Sequence, residues 1–352
     1  MGRLSLLLIG LVLGLAAFVA PSIAADYTKP GPFAVGLLEL SIPDVTGDYP
    51  LATLVWYPAA GPALNSTKVK STIDAPPATT GPYPLVVLIP GLSGSASMLD
   101  HWGQHLVSYG FIVLASGYDR GGGDTHLLYN RPANVIRVIG YADALTASGG
   151  KLAGLIDTSR VGVWGLSTGG TTALQAGGAR IDFKELNKWC DANKAEEYGE
   201  SCQFVGHEAT IAKLYGVADP FLEPMPPIWD SRVAALVLAA PGGELQVFGT
   251  TGISAVKVPT LILVTSTDQV VKPGINALWA YDGISSIDKA LAVFDKGAHQ
   301  MFLYSLEPQF NEALSLTTAF FLDILMGDPM GKKALQTSEV VFPGLTYKST
   351  LH

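Results

Sequence analysis

Apolar runs of five to ten residues, bounded by glycine and proline, recur along the chain: 33–42, 51–57, 85–89, 111–115, 160–164, 233–239, 260–265 and 290–294. Runs of this length and punctuation predict eight β-strands. The first two interleave polar or small residues with apolar ones, which suits a partly solvated antiparallel edge. The later ones, such as Leu85-Val86-Val87-Leu88-Ile89 and Leu261-Ile262-Leu263-Val264, are apolar throughout, as strands covered on both faces must be. Helix-period segments alternate with them at 98–109, 132–148, 169–177, 272–281 and 307–325. The alternation predicts an α/β chain with a mostly parallel sheet and helices on both faces. In such sheets the ligand site lies beyond the carboxyl ends of the strands, so functional residues should follow strands directly.

Residues 181–230 break the rhythm. They are charged and turn-rich, carry both cysteines of the chain, and end in Pro220, Pro224, Pro226 and Pro227. We read an insertion over the sheet, either a cap walling a pocket with Phe221, Met225 and Trp229 or a surface excursion packed on the body. Periodicity fades after Leu325. At the other end, Arg3, the apolar stretch 4–20 and the small residues of Pro21-Ser22-Ile23-Ala24-Ala25 have the form of a cleavable export signal, 1–25. A retained anchor is the alternative, because the apolar run is near the lower length limit for a span. No later segment has that length, so residues 26–352 are expected to be one domain with no stable membrane span after cleavage, secreted or periplasmic. In an oxidising compartment Cys190 and Cys202 should form a disulfide. Closing so short a loop contributes roughly 3 kcal/mol on the chain-entropy model. Neither cysteine has the context of a catalytic thiol.

Composition narrows the function classes. Hydrophobic residues make up 48% and charged residues 15% of 352, enough apolar material for a large core and too little charge for disorder. The net charge of −8 disfavours nucleic acid as a partner.

The chemistry centres on Gly165-Leu166-Ser167-Thr168-Gly169-Gly170, a G-x-S-x-G set between a strand and a small-residue helix. A serine on such a turn has its hydroxyl thrust out over the sheet, and flanking side chains would collide with backbone. The alternative is a Gly-rich turn that merely packs helix on strand. Serine needs a base and an orienting acid. Asp268 follows the strand 260–265 and His299 follows the strand 290–294, giving the chain order Ser167, Asp268, His299. Asp295 and Glu244 are rival acids at strand ends. His101 and His105 share a helical spacing but flank Trp102, which is not a zinc signature; His126 and His207 lack a preceding strand, and terminal His352 has no ordered context. Oxyanion donors are expected at the backbone N–H of Thr168 and of Leu92, the latter in the turn Pro90-Gly91-Leu92-Ser93-Gly94. No metal or organic cofactor is implied.

These stretches, with Val258-Pro259-Thr260 and Gly297-Ala298-His299, resemble the α/β-hydrolase superfamily from about Phe33 to Leu325. Within it the chain is similar to the dienelactone-hydrolase and platelet-activating-factor-acetylhydrolase-like group, with some likeness to bacterial polyester hydrolases. The resemblance implies a serine esterase acting on small-molecule or lipid-like esters. It departs from true dienelactone hydrolases, which use Cys where Ser167 stands, and the animal acetylhydrolases would put the acid at Glu244. Two other readings stay open: a lipase or polyester hydrolase with an open apolar groove around Leu92, Met225 and Trp229, and a non-catalytic binding protein on the same fold.

Overall fold

The computed structural model describes residues 26–62, 70–117, 127–193, 201–303 and 308–351. The expected leader, His126 and His352 lie outside the described residues. Among those described, ten strands form one sheet: β1 (Ala34–Pro43), β2 (Pro50–Ala59), β3 (Ser71–Ile73), β4 (Tyr83–Ile89), β5 (Ile112–Ser116), β6 (Ile156–Leu166), β7 (Val233–Ala239), β8 (Thr260–Thr265), β9 (Lys289–Phe294) and β10 (Leu345–Ser349). Their spatial order is β10-β9-β8-β7-β6-β4-β5-β2-β1-β3. The run from β9 to β5 is parallel throughout. Antiparallel β2 and β1 extend it on one side, and antiparallel β10 on the other.

The count of eight is corrected to ten at the two margins. β3 is three residues long and pairs only with β1, too short to leave a pattern. β10 alternates half-buried and exposed positions because it lies on the sheet's edge, so its sequence lacks a strong apolar run.

Helices α1 (Asp100–Ser108), α2 (Asn130–Thr146), α3 (Thr168–Ala176), α4 (Phe183–Ala192), α5 (Glu208–Leu214), α6 (Gly249–Ile253), α7 (Trp279–Gly283), α8 (Pro308–Met326) and α9 (Pro329–Ala334) cover both faces. Alternate residues of the parallel strands feed two cores. Leu85, Val87 and Ile89 of β4 pack with residues of α2–α7, while Val86 and Leu88 pack with residues of α1 and α8. All seven residues of β4 and all six of β8 are buried, as strands between two helix layers require.

The segment after α3 is a packed layer. Asp182 caps α4 by accepting from the Glu185 N–H at 3.0 Å, and the far end of α4 is tied by the Cys190–Cys202 disulfide, with 5.8 Å between Cα atoms. Phe183, Leu186, Phe204 and Ile211 enter the core of the α2–α7 face. Met225 joins them, wholly buried, with its N–H donating to the Ile181 carbonyl at 2.7 Å. That corrects the expectation that Met225 lines an open groove: an anchoring strap of proline-rich chain carries it inward. Phe221 and Trp229 remain about half exposed. No helix among the described residues is long and apolar enough to cross a membrane.

Candidate active site

The parallel strands β4, β6, β8 and β9 all deliver their next residues to the same edge of the sheet. Ser167 follows β6 directly and has φ 55° and ψ −125°. A positive φ costs a non-glycine residue about 1–3 kcal/mol and persists only where the surroundings impose it. Here the Ser167 N–H donates to the Ala239 carbonyl at 3.0 Å, and its carbonyl accepts from Gly170 N–H at 2.7 Å and Gly242 N–H at 3.4 Å. The surrounding glycines are dictated by contact. A Cβ on Gly165 would sit 2.1 Å from the Gly169 carbonyl oxygen, and one on Gly169 would sit 2.3 Å from that of Ile89. On Gly170 it would meet the Pro241 Cβ at 2.7 Å. Strand, helix and neighbouring turn therefore cross at backbone distance, and Ser167 is bent outward at the crossing.

Asp268 is buried in the turn after β8. One carboxylate oxygen, Oδ1, accepts from the N–H groups of Val270 at 2.8 Å and Val271 at 2.9 Å. The other, Oδ2, lies 2.7 Å from Nδ1 of His299. A carboxylate only accepts, so Nδ1 carries the proton of the neutral ring and Nε2 carries the lone pair. His299 opens a short 3₁₀ turn ending at Phe302, whose carbonyl accepts from the buried Trp102 indole N–H at 2.7 Å. The turns after β8 and β9 are joined by the Thr267 hydroxyl, which donates to the Gly297 carbonyl at 2.8 Å.

The rival residues have other employment. Glu244 is buried against the first turn of α3, where its two carboxylate oxygens accept from the hydroxyls of Thr168 and Thr171, each at 3.2 Å. Asp295 donates its N–H to the Gly344 carbonyl at 2.8 Å, at the approach to β10. His101 is exposed and packs edge-on against Phe310; His105 is buried beside Tyr109, and burial pushes it down to about 4. His207 is an exposed residue preceding α5. Among the described residues no group of three or more His, Cys, Asp or Glu could hold a metal ion.

The turn after β4 lies over the elbow. A Cβ on Gly91 would come within 3.4 Å of the Ser167 Cβ. The turn is closed by Gly94 N–H donating to the Gly91 carbonyl at 3.1 Å, with Ser93 at φ 56°. Leu92, in the middle of this turn, is 60% exposed. Thr168 opens α3, and amides in a first turn have no intrahelical partner and sit at the positive end of the helix dipole. One residue absent from the sequence reading stands behind both: Arg131, buried in the first turn of α2, donates to the Pro90 carbonyl at 2.7 Å and to the Thr172 hydroxyl at 3.2 Å. Its signal was a cation in a helix first turn, where the dipole disfavours positive charge. A separate cavity of about 300 Å³ lies between α4 and the body, lined by Trp189, Gln246, Thr250 and Trp279 among others.

Residues 64–227 match a protein family described as PET hydrolase-like. With the sheet order and the elbow after β6, that match decides the fold. The chain has the α/β-hydrolase fold. This α/β-hydrolase-fold chain is 26% identical to cutinase est1 of Thermobifida alba over 166 residues, 46% of this chain and 54% of the relative. It is 30% identical to the bis(hydroxyethyl) terephthalate hydrolase of Streptomyces coelicolor over 161 residues, 44% and 49% of the two chains. The chain spans about half the length of the curated relatives it matches. The family match takes in the Pro90–Gly94 turn and Ser167 and ends before Asp268 and His299.

Proposed function

We propose that this chain of α/β-hydrolase fold is a carboxylic ester hydrolase that works through an acyl-serine intermediate, with Ser167 as nucleophile, His299 as base and Asp268 as the orienting acid. The observation that carries the proposal is the 2.7 Å contact of His299 Nδ1 with a buried, doubly anchored Asp268, on the same sheet edge as the strained Ser167 turn. In the first half-reaction Ser167 Oγ attacks the ester carbonyl carbon as its proton passes to His299 Nε2. The negative carbonyl oxygen is received by the N–H groups of Leu92 and Thr168. Collapse breaks the bond to the alkoxy group, which leaves as the alcohol with the proton from His299. Water then attacks the acyl-serine by the same route and releases the acid. Asp268 stays ionised and stabilises the imidazolium formed in each half.

The family match and the terephthalate-ester relative support a second, narrower reading of the substrate: an aromatic or polymeric ester laid across the exposed Leu92 rim. Export through residues 1–25 fits either substrate. A fluorophosphonate probe tests catalysis directly. The wild type should be labelled at Ser167 and S167A should not; folded wild type that takes up no probe would make this a binding protein. Hydrolysis rates across p-nitrophenyl esters of rising chain length and bis(hydroxyethyl) terephthalate then separate the substrates. A sharp preference for acetate favours a small closed pocket, and retained activity on the diester favours the second reading.

A further inference from the structure

We infer that Arg131 is a positioning residue that sets the spacing between the two halves of the oxyanion site, the Pro90–Gly94 turn and the first turn of α3. The inference rests on the esterase reading above.

Arg131 is 2% exposed, and Pro90 and Thr172 are both 41 positions away from it in the chain, one on each side. A guanidinium is costly to bury, and it is retained where its planar fork must satisfy acceptors at fixed angles. One arm, Nη2, holds the Pro90 carbonyl at 2.7 Å; Nε holds the Thr172 hydroxyl at 3.2 Å. That hydroxyl in turn donates to the Thr168 carbonyl at 3.0 Å, so the fork reaches the residue after the nucleophile through one side chain.

The Pro90 carbonyl sits against α3 itself, since a Cβ on Gly169 would lie 2.7 Å from it. With that carbonyl held by Arg131 and the Gly91 carbonyl held by Gly94 N–H, both peptide planes leading to Leu92 are fixed. The Leu92 N–H points opposite to the Gly91 carbonyl, so its direction follows from these two bonds. Without Arg131 the Pro90–Gly91 peptide loses its charged anchor and the Leu92 amide loses its aim. Pre-aimed donors act on charge that develops only in the transition state, so the loss should fall on turnover and not on substrate binding.

The test is R131K, which keeps the charge but cannot reach both acceptors, with T172V removing the hydroxyl that links the Nε arm to the Thr168 carbonyl while leaving the Pro90 arm in place. For R131K we expect kcat to fall by about tenfold to a hundredfold, less than the loss of a donor itself, with KM within about twofold. Affinity for a trifluoromethyl ketone, whose adduct places an oxyanion in the site, should fall in proportion to kcat/KM. T172V should lose about threefold to tenfold of kcat with the same pattern, and it decides the matter if R131K does not fold. An active wild type whose folded variants keep kcat and ketone affinity, losing only thermal stability, would overturn the positioning role alone. A wild type that neither turns over esters nor takes the fluorophosphonate probe would overturn the esterase reading, and this inference with it.

Discussion

Around Ser167, main chain meets main chain: a Cβ on Gly165 or Gly169 would lie 2.1–2.3 Å from backbone oxygens, with nothing flexible there to yield, and one on Gly170 would meet the Pro241 ring at 2.7 Å. Around Asp268 and His299 the working atoms are side chains held by hydrogen bonds from turns, at 2.7–2.9 Å. The first limb is fixed by close backbone packing; the second is fixed because both Asp268 oxygens and His299 Nδ1 have hydrogen-bond partners. The difference also follows the comparisons. The matched segment holds the backbone-built limb, whose glycine spacing is visible in sequence, and ends before the side-chain-built one.

The contrast predicts different failures. In D268N the fold should survive, because the Oδ1 acceptor of two amides can be kept, while turnover falls about 10⁴-fold as the ring loses its tautomer. Steady-state kinetics beside a melting curve checks this; parallel loss of fold and activity would erase the distinction between limbs. In G165A the reverse is expected: the molecule itself should lose about 4 kcal/mol or more, read by urea denaturation. A G165A protein with wild-type stability would show that the elbow is looser than its contacts imply.

Acid could blur the two outcomes, because the fold carries its own proton-linked weakness away from the site. His105 is buried and its folded value is pushed down to about 4, below the unfolded 6.5. Between those values the unfolded chain binds the extra proton, so stability rises with pH through this window and is lost as pH falls from 6.5 to 4, by up to about 3 kcal/mol. Melting at pH 7 and pH 4.5 should show this, and H105Q should flatten the slope. The smallest effect belongs to E244Q: one of the two hydroxyl acceptors is retained, so about 1 kcal/mol of stability and less than tenfold of kcat should go. A D268N-sized loss in E244Q would reassign the acid.

How much of this could be read beforehand follows the same physics. The parallel strands were legible because burial on both faces demands unbroken apolar runs, and Thr260–Thr265 and Val233–Ala239 have the bounds read from sequence. The helix read over 272–281 resolves into a π turn at Gly274–Leu278, where the Leu278 N–H donates to the Pro273 carbonyl five positions back at 3.0 Å, and then α7. Met225 looked like pocket lining because a methionine among prolines gives no periodicity to tell inside from outside. The contact between Asp268 and His299 was a matter of strand order, which topology rules supply, whereas Arg131 answers to two partners distant in the chain and no local pattern names them.

β10 lies along β9 from Leu345 to Ser349, on the flank of the strand that leads to His299. Trimming the chain back to residue 343 would therefore uncover a row of unpaired amides and carbonyls on β9. Such a row invites a second molecule to add its own strand, so a shortened form should self-associate through the margin nearest the imidazole.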